Sequence, residues 1–140
     1  MQLNSFINKV VISSKSGKRY LIQEITASYI TVKTEKPNEL GYRPCYLWET
    51  INGDPIKNGD LVFEDKSLTE PFCEAYEAYC HTEDARWESY GYWMMKSYWF
   101  WYIGDDMMDK IFINKFLQYK FHKFYFYGCF LFSFIYFCKN

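Results

Sequence analysis

The apolar pattern of this chain changes period once, at Ser67, and that change sets its fold class. Before Ser67, short β-branched and aromatic runs alternate with turn residues. After it, apolar residues recur at helical spacing. Strands followed by helices, without βαβ alternation, indicate an α+β arrangement.

The first half reads as about five strands. Val10-Val11-Ile12 and Arg19–Ile25 flank the turn signal Lys15-Ser16-Gly17-Lys18, which makes a hairpin. Tyr29–Thr34 alternates, with Ile30 and Val32 expected inward. Residues 45–51 and 61–63 supply the remaining strands, around the Asn52-Gly53 and Asn58-Gly59 turns. The short connections make the strands antiparallel. The expected architecture is therefore a small antiparallel sheet, or partly open barrel, over about residues 10–63. Two amphipathic helices follow over about 68–103, and then an aromatic-rich C-terminal tail.

Ser67-Leu68-Thr69-Glu70 fits a capping box for the first helix. Phe72, Ala75, Tyr76 and Tyr79 fall on its inner face, with Glu70, Glu74, Glu77 and His81 roughly opposite. Thr82-Glu83-Asp84 is placed to cap the second helix. There Trp87, Tyr90, Met94, Tyr98 and Trp101 form a stripe at core spacing. Tyr92, Trp93, Trp99 and Phe100 lie off that stripe, so a second surface is implied. The expected core is Ile12, Leu21 or Ile22, Ile30, Val32, Leu47, Val62, Phe72, Tyr76, Tyr79, Trp87, Tyr90 and Met94. On that reading Trp87→Ala is among the most damaging substitutions.

The division expected is one α+β domain over residues 1–110 and a separate tail over 111–140. The tail holds nine of the thirteen Phe residues and no Asp or Glu. Twenty-four of its thirty residues are Phe, Tyr, Ile, Lys, Asn or Leu, all encodable by A and T alone. Three origins fit. It is the translation of AT-rich DNA after a frameshift or readthrough, a membrane-associated segment, or a last element packed on the aromatics of residues 92–100. The membrane reading rests on Phe124–Cys138, fifteen uncharged residues flanked by Lys123 and Lys139. As a helix that run spans about 22 Å, short of the roughly 30 Å hydrocarbon core.

Chemistry leaves little trace. The five cysteines are odd in number, form no CxxC, and follow no secretory signal, so free thiols in a reducing, cytoplasmic setting are expected. Cys73 and Cys80 sit about 10 Å apart along a helix, too far for one zinc. No phosphate-binding glycine motif, nucleophile elbow or calcium loop occurs. Neither a catalytic residue, a metal nor a cofactor is expected. Glu83, Asp84 and Glu88 read as charges favoured by a helix N-terminus.

Surfaces carry what remains. The net charge of −1 excludes a strongly basic nucleic-acid footprint. Tyr29, Tyr42, Tyr46 and Trp48, near Lys18, Arg19, Lys33 and Arg43, still resemble a single-strand platform in composition. Residues 71–110 carry three basic and eight acidic side chains. The leading expectation is a non-catalytic accessory module that binds a protein partner. Its contact surface would be Glu74, Glu77, His81, Tyr92, Trp93, Trp99 and Phe100. By analogy such modules are often phage- or mobile-element-encoded. Membrane association through residues 124–138 and nucleic-acid binding by the sheet are the alternatives.

Overall fold

A computed structural model describes residues 2–103 and 108–121 of the chain. Five strands form one antiparallel sheet: β1 (Val10–Ser13), β2 (Arg19–Ile25), β3 (Tyr29–Thr34), β4 (Cys45–Glu49) and β5 (Leu61–Phe63). Their order is β4-β3-β2-β1-β5. The first four make a meander, and β5 returns to pair with β1. Helices α1 (Thr69–Cys80), α2 (Glu83–Ile103) and α3 (Met108–Phe121) follow. The α+β class and the antiparallel sheet are as the pattern predicts. The chain divides into two compact units, Met1–Met95 and Lys96–Asn140.

Strand parity builds the core of the first unit. Val11 lies opposite Tyr20 on one side and Phe63 on the other. Ile22 lies opposite Val32. A bulge at Gln23 shifts the alternation, so Ile25 pairs with Ile30 and both join the same face. Phe6, from a 3-10 turn over Leu3–Phe6, and Phe72 of α1 cover this face. Phe6 and Phe72 meet edge to face at 5.1 Å, and Phe63 packs on both. Gly17 has a φ of +71°, which the β1–β2 turn requires and a Cβ would strain.

Ile30, Val32, Phe72 and Tyr76 are buried as expected, and of the Leu21/Ile22 pair it is Ile22. Several other core expectations need correction. In β1 the buried residues are Val11 and Ser13, so Ile12 faces the other, half-open side. Leu61 and Phe63 are buried in β5, which leaves Val62 turned outward. Leu47 and Tyr79 are half-buried. Short strands offer apolar residues on both faces here, and the sequence does not say which face the helices cover. Phe6, fully buried, precedes the first strand and shows no period at all.

The larger correction concerns α2. Trp87, Tyr90 and Met94 are 64%, 58% and 54% exposed, whereas Tyr92 is 4% exposed. The expected stripe is real, but Trp87, Tyr90, Met94 and Trp101 in it face solvent and Tyr98 is half-buried. The buried face is Ala85 and Tyr92, with Glu88 and Ser89 half-buried between them. Ala85 lets the helix approach closely, and the polar residues after it disguise the face in any hydrophobicity pattern.

Helix starts also differ in part. The capping box does not form: Leu68 precedes α1 without a side-chain cap. Asp65 instead accepts the Ser67 amide and hydroxyl, capping a 3-10 turn over Lys66–Leu68. Thr82 caps α2 as expected, accepting the Ala85 amide at 3.2 Å.

Candidate functional site

The β2–β3 turn Thr26-Ala27-Ser28 is where both helices are fastened. Tyr76 of α1 donates its hydroxyl to Thr26 O at 2.6 Å. Glu88 of α2 accepts the Ala27 amide at 2.8 Å, and Thr50 donates to Ala27 O at 2.7 Å. The second oxygen of Glu88 accepts the Tyr79 hydroxyl at 3.0 Å, which ties α1 to α2. Glu88 is thus a fastening residue and not merely a charge at a helix start.

Beside this turn, Tyr92 donates to Glu49 at 2.6 Å and Tyr29 donates to Glu24 at 2.5 Å. The two rings meet at 5.1 Å. Burial, reinforced by Glu24, pushes the Tyr29 phenol far above its ordinary range. Burial likewise raises Tyr76. The Tyr92–Glu49 bond and the contact of the Tyr92 ring with Tyr29 hold α2 on the sheet.

This locked geometry decides where the sequence-selected residues sit. Glu74, Glu77 and His81 are exposed along the outer side of α1. Tyr92 is interior and fastens the helix, so it is not an available anchor. Trp93 is half-buried, its ring edge-on to Tyr92 at 4.9 Å. Trp99, half-buried, and Phe100, exposed, belong to the second unit. In that unit Phe112 and Phe116 of α3 are buried and stack at 5.7 Å.

The residues that face solvent in place of Tyr92 are Trp87, Tyr90 and Met94. They lie at i, i+3 and i+7, one side of α2, with Trp87 edge-on to Tyr90 at 6.0 Å. Glu83 and Asp84 precede them on the exposed first turn. The stripe was visible in the sequence. Only its direction was hidden, because α2 carries aromatic residues on more than one side.

Chemical centres do not assemble around these residues. Burial raises the thiols of Cys45, Cys73 and Cys80, the direction opposite to an activated nucleophile. Among the described residues no three His, Cys, Asp or Glu side chains converge as a metal site requires. A shallow groove of about 420 Å³ between the N-terminal turn and α1 is floored by Ala75 and Ala78, with Tyr79 as its one titratable group. The aromatic platform does not form on one face either. Tyr29 is buried and points away from Tyr46 and Trp48, while Arg19 is held by Glu35 and Glu64.

Among the described residues no helix is long and apolar enough to cross a membrane. The uncharged run Phe124–Cys138 lies outside the described residues. Comparisons with family models, with curated protein sequences and with solved structures return no match.

Proposed function

We propose that this chain is a non-catalytic protein-interaction module whose contact surface lies on the two helices of the first unit. One observation carries the reading: Trp87, Tyr90 and Met94 are aligned on one side of α2 and all more than half exposed. Aromatic anchors of this kind dominate interface energetics, and soluble monomers seldom align several without use. Glu70, Glu74 and Glu77 on the exposed side of α1, with Glu83 and Asp84 on α2, add exposed negative charge on the same two helices. A partner with basic residues surrounding an apolar pocket fits this combination. The unpaired Cys45, Cys73 and Cys80 are in keeping with a reducing, cytoplasmic compartment.

The test is capture of partners by wild-type protein, by Trp87→Ala/Tyr90→Ala, and by Glu74→Lys/Glu77→Lys. The aromatic double variant is expected to fold and to lose the partner. The charge-reversed variant is expected to bind more slowly and with weaker salt dependence. A folded Trp87→Ala/Tyr90→Ala variant that retains every partner would overturn the reading. So would a turnover activity that co-purifies with the chain and disappears in Cys80→Ala.

A further inference from the structure

The outer edge of β4, which no strand among the described residues covers, is the second surface that asks for a partner. Hydrogen bonds at both ends of the β3–β4 ladder fix its phase. The Thr34 amide donates to Pro44 O, and the Thr50 amide donates to Ser28 O. In an antiparallel ladder, bonded pairs alternate with non-bonded ones. Tyr46 and Trp48 therefore direct their amides and carbonyls inward to β3, in register with Val32 and Ile30. Cys45, Leu47 and Glu49 direct theirs outward. No described residue hydrogen-bonds the Cys45 or Leu47 backbone from that side.

The two edges of the sheet are defended unequally. β5 is three residues long and flanked by Asp60, Glu64 and Asp65, the short charged form that discourages pairing. β4 reads Cys-Tyr-Leu-Trp-Glu, without lysine, proline or bulge inside the strand. Tyr46 is 42% exposed on it.

We propose that β4 pairs with β4 of a second copy of this chain, antiparallel about a two-fold axis through Leu47. That register uses all five residues and is self-complementary. Leu47 faces its own symmetry mate in a bonded pair. Tyr46 faces Trp48 of the other copy in a non-bonded pair, where side chains approach most closely and aromatic pairs stabilise a ladder. Glu49 faces Cys45 of the other copy, and Lys33 lies beside that Cys45 on β3. Lys33 has no ion-pair partner among the described residues. Two strand spacings, about 10 Å, separate it from that Glu49, whose carboxylate stays on the Tyr92 hydroxyl of its own chain, so the two charges attract across the ladder without direct contact. A slip that set Glu49 against its own mate would oppose like charges, so charge selects the central register. The result is one continuous ten-stranded sheet with closed symmetry. The contact is a single strand edge, so the dimer is concentration-dependent.

Amide hydrogen exchange on the wild-type chain reads this directly. The Leu47 and Cys45 amides should gain protection as protein concentration rises, while those of Tyr46 and Trp48 stay protected throughout. Sedimentation should show the matching monomer–dimer shift. Leu47→Pro removes an outward amide and no ladder bond to β3, so it should stay folded by circular dichroism and lose the dimer. Leu47→Lys, which sets like charges across the axis, should do the same and guards against misfolding of the proline variant. A wild type that stays monomeric at every concentration overturns the proposal. So does a dimer that survives both Leu47 variants, or one abolished instead by Trp87→Ala.

Discussion

The hydroxyl of Tyr92 donates to Glu49 at 2.6 Å, and this bond joins α2 to the outermost strand of the sheet. The contact reverses the expected ranking of α2 side chains. Tyr92→Phe should cost about 1–3 kcal/mol, because it leaves a part-buried carboxylate short of a donor. Trp87→Ala should cost less than about 1 kcal/mol, as an exposed substitution does. Urea denaturation of both variants checks the order, and the opposite ranking would mean that α2 docks through its other side.

Phe72 is fully buried between Phe6, Phe63 and Tyr76. Phe72→Ala should therefore be among the worst substitutions in the first unit, at about 3–5 kcal/mol. Phe6→Ala should approach it despite lying outside any strand or α-helix. A Phe6→Ala protein with wild-type stability would show that the N-terminal turn does not cover the sheet.

Thr31 is completely buried and its hydroxyl has no hydrogen-bond partner among the described residues. An unsatisfied buried hydroxyl costs stability, and valine keeps the β-branched shape that a strand favours. Thr31→Val is expected to stabilise by about 1 kcal/mol. A lower melting temperature for Thr31→Val would indicate that the hydroxyl is satisfied in solution, for instance by a trapped water.

Burial first, and then the bond to Glu88, push the Tyr79 phenol up from 10.0 to about 12. A phenol raised on folding adds stability that is fully present below its unfolded value. That contribution is lost as pH climbs through the folded one. Stability should therefore fall between about pH 10 and pH 12, and Tyr79→Phe should make that fall shallower. Tyr29 and Tyr76, raised in the same direction, keep some slope in the variant. An unchanged alkaline profile in Tyr79→Phe removes Tyr79 from the linkage.

Much of the fold was legible because strands and turns write their own signals. The β1–β2 hairpin, the alternation of β3 and the two Asn-Gly turns are local, and local chemistry specifies them. The ranges of α1 and α2 were legible for the same reason, since Thr82 caps α2 where its side chain says it will, but α3 (Met108–Phe121), which runs into the segment read as a tail, was not. What remained hidden was relational. Tyr92 and Trp87 are both large aromatics on one helix, and only Ala85, Glu88 and the partner Glu49 decide between them. Glu49 is more than forty residues from Tyr92, and no periodicity reaches that far. The same limit put Val62 in the expected core in place of Leu61 and Phe63. The candidate surface followed suit: Glu74, Glu77, His81 and Phe100 are outside as expected, Trp93 and Trp99 are half-buried, and Tyr92 is interior.

The return of β5 to β1 also gives this sheet an order in time. The ladders among β1, β2, β3 and β4 close short loops and can form as soon as the chain emerges. Val11, however, meets Phe63 only across about fifty residues, and closing a loop of that length costs entropy that local pairing does not. Until Leu61–Phe63 arrives, the meander has two bare edges, and Phe6 lacks one of its ring partners. The last strand is the shortest in the sheet, yet it is the one that closes the β1 edge and leaves β4 as the edge still open to another chain.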